Sequence, residues 1–355
     1  MKKLTALAIV LCVSCAPVYS TDRKAAPVSP AAKTERNVTF ISTSDSHYKA
    51  FESAGWNKQN TDTIEEINRI AGQHWPEKLG ADKIDAPRGV VLLGDCIDDG
   101  DKVRDGKDYT AEQFKAFIAH FGLDGTDGLL KHRVYETWGN HDGPPIGKNK
   151  HSKLSFQSEL KKRNAIRKKN GWLANLSENG LHYSWDFDDV HFVSLGFYPA
   201  DVQHAKVRYN PVWHNPQNAL AFLKKDLAKC VGDSGRPVVL MSHAGVDTDW
   251  CHPDDWKAVY EAARKYNIVL YLYGHTGTGL RYWAPEGETK KWTLINDGHT
   301  TSGFFVIQIT GDRLRAAYRC KMNVKKTRNP DRTTTRTWDG KWGWRFLLDK
   351  KISAK

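Results

Sequence analysis

Five short polar segments, each closing an apolar, β-prone run, carry the residues of this chain that could do chemistry. They are Asp45-Ser46-His47, Gly94-Asp95, Gly139-Asn140-His141-Asp142, Ser242-His243 and Gly274-His275, and the runs before them are 38–44, 90–93, 134–138, 238–241 and 268–273. A buried strand ending in a carboxylate, amide or imidazole delivers that group to the crevice at the carboxyl edge of its sheet. Five such ends on one rim supply oxygen and nitrogen donors, a set suited to two borderline-hard divalent metal ions and to metal-assisted hydrolysis. Taken singly, an Asp-x-His turn, a Gly-Asp pair or a Gly-Asn turn is ordinary loop chemistry. The same strand-then-donor context, met five times in one order, is not.

The elements that must position these groups are legible at low resolution. Apolar residues at helical spacing predict helices over 62–73 (Ile64, Ile67, Ile70), 111–121 (Phe114, Phe117, Ile118, Phe121), 217–229 (Leu220, Leu223, Leu227) and 255–266 (Trp256, Val259, Tyr260, Ala263). These stripes are packing faces. Alternation in 182–187 and 190–195 around Asp188-Asp189 predicts a β-hairpin. Strands alternating with helices on this scale point to a layered α/β domain.

In this order the five segments resemble the calcineurin-like metallophosphoesterases, whose pattern runs DxH, GD, GNH(D/E), H and GHxH. The likeness extends from Val38 to Tyr318. It implies an α/β fold, a two-sheet β-sandwich flanked by helices in four α/β/β/α layers, with the metals at the sheet edge. It implies hydrolysis of phosphomonoesters or phosphodiesters, anionic substrates, and two divalent ions, with Mn, Zn or Fe as candidates. One ion would be held by Asp45, His47 and Asp95, the other by Asp95, Asn140, His243 and His275, and a water between them would attack phosphorus. By the same resemblance His141 assists the leaving oxygen. Asp142 is expected to orient the His141 ring, and Asp98 to support the site by hydrogen bonding. Purple acid phosphatases place a Tyr where this chain has Asp98, which argues against that branch.

One position departs from the pattern. The last segment reads Gly274-His275-Thr276-Gly277, so a ligand of the first ion is missing from its usual place. Another side chain, a water or a weak site can answer for it, and His299, after the strand-like run 292–295, is the candidate replacement. A non-catalytic envelope module binding phosphate-bearing polymers or lipid head groups is the alternative reading. Gly277 supports that alternative; Asp45, Asn140 and His141 oppose it.

Composition fits an exported enzyme. Residues 1–20 have a basic start and an apolar stretch too short to span a bilayer, the form of a signal peptide. Cleavage after Ser20 and a lipoprotein box at Cys15 both fit, the second being preferred, so a periplasmic or cell-envelope location with membrane anchoring through Cys15 is expected. Residues 21–36, rich in Ala, Pro, Ser and Lys, read as a flexible tether, 37–324 as the metallophosphoesterase domain, and 325–355 as a basic, aromatic C-terminal segment. That last segment, with Trp338, Trp342, Trp344 and Phe346, can bind polyanions or membrane surface, or fold back over an apolar patch. Between Lys148 and Lys169 lie nine basic residues and one acid, either a lure for anionic substrate or a solvated helix face. The net charge is +12, yet no nucleic-acid motif accompanies it and no genomic role is expected. Cys96, Cys230, Cys251 and Cys320 allow three disulfide pairings without choosing one, and Cys96 reads as a small core residue.

Overall fold

Val38 and Phe40 face one apolar cluster while Ile41 faces another. Val91 and Leu93 divide from Val90 and Leu92 in the same way, as do Val239 and Met241 from Val238 and Leu240. Strands apolar on both faces must be covered on both, which calls for a second sheet on one side and helices on the other. The computed structural model shows this arrangement. It describes residues 36–51, 55–143, 154–201, 204, 217–248, 251–330 and 334–353. The leader, Cys15, the tether up to residue 35, and Lys148, Lys150 and Lys153 of the basic run lie outside the described residues.

The strands are β1 (Asn37–Thr43), β2 (Val90–Leu92), β3 (Val134–Glu136), β4 (Asn175–Leu176), β5 (Tyr183–Phe187), β6 (Val190–Ser194), β7 (Pro237–Met241) and β8 (Asn267–Tyr273). They continue with β9 (Gly279–Trp283), β10 (Trp292–Asn296), β11 (Gly303–Thr310), β12 (Arg313–Lys321), β13 (Lys325–Arg328), β14 (Thr334–Thr337) and β15 (Trp342–Lys351). One sheet runs β15-β12-β11-β1-β2-β3, the other β4-β5-β6-β7-β8-β10-β9, and β13-β14 form a separate ribbon. The parallel strands β1, β2 and β3 of the first sheet and β7, β8 and β10 of the second carry the chemistry at their carboxyl ends, with β6 parallel beside β7. Phe40, Val91, Tyr135, Trp185, Phe192, Val239, Leu270 and Phe305 belong to the cluster between the sheets.

The helices are α1 (Trp56–Asn68), α2 (Thr110–Phe121), α3 (Phe156–Lys169), α4 (Ala219–Asp226) and α5 (Pro253–Ala263), with a wider turn over Leu227–Val231 extending α4. Their apolar stripes pack on the outer faces of the sheets. The expected helix at 62–73 runs instead from Trp56 to Asn68: it begins earlier because the buried polar residues Gln59 and Asn60 occupy its inner face, and it ends at Arg69, ahead of Ile70. The expected hairpin forms, with Phe187 paired to Val190 across Asp188-Asp189. Arg36, at the end of the tether, is fixed to the Asp189 carboxylate (2.6 and 2.5 Å).

Two expectations change. Residues 325–355 read from composition as a segment of their own, but β15 pairs along β12 as the edge of the first sheet, the fold-back alternative. Its aromatic and aliphatic residues alternate with or precede Arg345, Asp349, Lys350 and Lys351, and such charges suit an edge strand, which has one ladder side open. The basic run is not wholly a solvated face either. Within α3, Arg163 and Arg167 turn inward onto Glu136 of β3; Arg163 Nε lies 2.6 Å from Oε1, and Arg167 pairs with Oε2.

Arg167 and Glu136 are fully buried. Removing the charge of Glu136 would strand two buried guanidiniums, so Glu136→Gln should destabilise the fold by about 3–5 kcal/mol in urea titrations. Burial pushes the Glu136 carboxyl up, but Arg163 and Arg167 outweigh it and bring it to about 2. A carboxyl lowered in the folded state stabilises above its unfolded value and loses that contribution as pH falls toward its folded one. The stability of the wild type should therefore fall between about pH 4.5 and 2 through this group, and Glu136→Gln should lack that component. The four described cysteines are free thiols, with Cys96 fully buried in the core.

Candidate metal centre

Each proposed ligand sits within a few residues of a strand end. β1 leads into Asp45 and His47, β2 into Asp95, β3 into Asn140 and His141, β7 into His243 and β8 into His275. Asp45, His47, Asp95 and His275 adopt left-handed backbone, with φ of 51°, 43°, 49° and 68°. Such turns aim the side chain back over the sheet edge, at a steric cost that glycine would not incur. Close approach explains Gly139, where an added Cβ would lie 2.2 Å from Asp95 Oδ1.

Donor atoms converge around Asp95. His243 Nε2 lies 3.3 Å and His47 Nε2 3.6 Å from Asp95 Oδ2, and His243 Nε2 is 3.1 Å from Asn140 Oδ1. His47 Nε2 is also 3.6 Å from Asp45 Oδ1. Ligand atoms of Asp95, His243 and His275 fall within 4.8 Å of one another, as do those of Asp45, His47 and His299. His299 follows β10 and forms a parallel bridge to Ser44, which brings it to the first site, where the GHxH pattern lacks its last His. Asp45, His47, Asp95, Asn140, His275 and His299, with Lys49, Trp56, Asp98 and His141, line a cavity of about 430 Å³, and His243 lies buried behind it.

The far side of each imidazole shows which nitrogen is offered. His243 Nδ1–H donates to Leu93 O (2.6 Å), so Nε2 is the nitrogen turned toward Asp95 and Asn140, the one a metal would take once its proton leaves. His47 Nδ1 faces Asp98 Oδ1 at 3.2 Å, and Lys49 Nζ holds the other Asp98 oxygen at 2.9 Å. A second partner on the outer nitrogen is what metal-binding histidines require. Asp98 supports His47 through an ion-pair contact, not a hydrogen bond, and its carbonyl adds a contact absent from the sequence reading. His141 Nδ1–H donates to Asp98 O (2.8 Å), while its backbone N–H donates to Asp95 Oδ1 (2.8 Å).

Asp142 does not orient the His141 ring. Its carboxylate accepts backbone N–H groups of Ile97 (2.9 Å) and Gly139 (2.7 Å), locking the Gly94-Asp95 loop to the Gly139-Asn140 loop. The reason is geometric: backbone donors take both oxygens, and Asp98 O takes the imidazole.

Burial would lower His243, but Asp95 and Asp45 prevail and raise it to about 9. His47 is likewise pulled down by burial and raised to about 10 by Asp45, Asp98 and Asp95. His275 is held near 4 by burial and by His243, its ring neutral and ready to coordinate. Protons on His47 and His243 neutralise the buried carboxylates, and a divalent cation would displace them, so binding should release protons. Oxygen and imidazole donors, fixed tautomers and excess buried carboxylate fit two divalent ions.

The model of the calcineurin-like phosphoesterases matches residues 38–278. The chain belongs to that family. A calcineurin-like phosphoesterase is a hydrolase of phosphate esters built on a dinuclear metal centre, and its metallo-dependent phosphatase fold is the one described above. No curated protein matches the sequence. Among solved structures, TT1561 of Thermus thermophilus is 14% identical, with 78% of this chain and 94% of that chain covered and a TM-score of 0.39. Vacuolar protein sorting 29 of Cryptosporidium parvum is 11% identical, with 89% and 99% covered and a TM-score of 0.34. A 5'-nucleotidase of Candida albicans is 11% identical, with 77% and 47% covered and a TM-score of 0.36. The matched region of this calcineurin-like phosphoesterase stops at residue 278, ahead of His299.

Proposed function

We propose that this protein hydrolyses phosphate esters at two divalent ions, one held by Asp45, His47, Asp95 and His299 and the other by Asp95, Asn140, His243 and His275. The observation that carries the reading is the convergence of two donor triads on the rim of one cavity, with Asp95 between them. Bound divalent ions would supply an activated water near neutral pH and neutralise charge on the phosphoryl oxygens.

The chain's own groups supply the rest. Asp95 offers one oxygen to the imidazoles and uses the other to hold the backbone of His141. His141, with Nδ1–H committed to Asp98 O, turns Nε2 toward the cavity, and its protonated form would give that proton to the departing alkoxide. Asn140 contributes a neutral oxygen, which leaves the site net positive for an anionic substrate.

The test is hydrolysis of p-nitrophenyl phosphate and of its bis-ester after chelation, with Mn²⁺, Zn²⁺ or Fe²⁺ restored one at a time. Turnover that returns with metal supports the reading; no turnover of either ester with any metal would overturn it. His141→Gln should lower kcat by roughly 10²–10³-fold while metal content stays unchanged. Loss of metal in step with rate would make His141 a ligand instead.

A further inference from the structure

The basic, aromatic C-terminal segment does more than close the first sheet. Its β13-β14 ribbon carries Arg336, whose Cζ lies 4.7 Å from the centroid of the Trp56 ring. Trp56 lines the metal cavity and is fixed there by its Nε1–H, which donates to Ser46 O (2.8 Å). Its ring meets His299 edge-on at 5.6 Å and His47 at 6.2 Å. One aromatic ring therefore separates the Arg336 guanidinium from two of the metal-binding imidazoles.

The ribbon and the helix bearing Trp56 are held to the site from below. Lys321 Nζ donates to Gln59 O of α1 (2.6 Å) and to Thr301 O beside His299 (3.1 Å), and it lies 5.2 Å from the ring of Trp338, just beyond β14.

Among the described residues Arg336 pairs with no carboxylate. By contrast Arg315 and Arg319 of β12 hold Asp82 and Glu66. Arg336 is half-buried, and burial pulls its pKa below the usual guanidinium value with no acid to offset it. A guanidinium seated over an aromatic face still has N–H groups to offer an oxyanion, and the contact restricts where they lie. An unpaired, partly desolvated fork beside a phosphate-ester site lacks a partner that a polyanionic substrate would supply.

We propose that Arg336, seated over Trp56, binds a second anionic group of the substrate, so that this enzyme prefers phosphate esters bearing a further phosphate or carboxylate over simple monoesters. The inference rests on the reading that the metal cavity takes the scissile phosphate. Arg336 is a specificity residue, outside the ligand set and remote from His141's proton transfer.

The experiment uses α,ω-bisphosphonates with one to six methylene groups and monophosphonates of matching length, titrated calorimetrically into the metal-loaded protein. Turnover of p-nitrophenyl phosphate is followed in parallel. In the wild type one spacer length should bind ~10-fold or more tighter than its monophosphonate, the scale of one charge-assisted bidentate contact. Arg336→Gln should bring that ratio to about 2 or less, Arg336→Lys should keep part of it, and both should leave p-nitrophenyl phosphate kinetics within about 2-fold. No spacer advantage in the wild type, an advantage that survives in Arg336→Gln, or an equal loss of p-nitrophenyl phosphate turnover would each overturn the proposal. A wild type that binds no monophosphonate with metal present would remove the hydrolytic reading, and this proposal with it.

Discussion

Asp95→Asn should leave a folded protein that retains fewer than one ion per chain and hydrolyses p-nitrophenyl phosphate at least ~10³-fold more slowly. The substitution keeps shape and one acceptor oxygen, so the backbone N–H of His141 can still be held as it is now at 2.8 Å. What it removes is the negative charge that both donor triads share. Burial pushes the Asp95 carboxyl up, yet His243, His47 and His141 hold it well below the usual carboxylate range, so it is ionised at any working pH. A neutral amide cannot offset the mutual repulsion of two divalent cations. Metal analysis of dialysed protein beside a thermal melt decides the matter. Two retained ions and a near-normal rate would falsify the central role of Asp95.

The second large effect concerns the first ion. His299→Ala should lower bound metal from two ions to about one, with the remaining ion held at wild-type affinity by Asp95, Asn140, His243 and His275. A second substitution, Gly277→His in the His299→Ala background, should restore the lost ion. An added Cβ at Gly277 meets nothing within 4 Å, so the new side chain has room to enter. Equilibrium dialysis with Mn²⁺ reads both variants without any catalytic assay. Unchanged stoichiometry in His299→Ala would show that His299 is not a ligand. Restoration by Gly277→His would show that two positions, one after β8 and one after β10, can serve the same metal.

These two residues also mark where sequence reading succeeds and where it stops. Asp45, Asp95, Asn140, His243 and His275 are legible because each follows its own strand by a few residues, and the strand and its donor are read together. His299 has the same local form, but its membership depends on β10 lying beside β8 and on the bridge from His299 to Ser44. Contacts between residues more than 250 positions apart leave no periodic trace. Asp142 shows a different limit: a carboxylate beside a histidine suggests a pair, whereas backbone donors from two loops claim it. The helix α3 escaped its period because Arg163 and Arg167 occupy inward positions where an apolar stripe would be expected, satisfied only by the distant Glu136. The edge strand β15 was hidden because its aromatic and aliphatic residues sit in a basic segment whose composition suits a tail as well as an edge.

The left-handed backbone at Asp45, His47, Asp95 and His275 has a consequence for how the protein survives, not only for how it reacts. Each such residue costs about 1–2 kcal/mol relative to a relaxed turn, and two of the four bring buried carboxylates close together. Ligands that bind only the native state raise its stability by mass action. Divalent ions at this rim would therefore act as folding ligands, offsetting strain that the ordered chain carries in their absence. Thermal resistance should then follow metal supply, and a metal-starved population would lose molecules to unfolding and proteolysis as well as losing turnover.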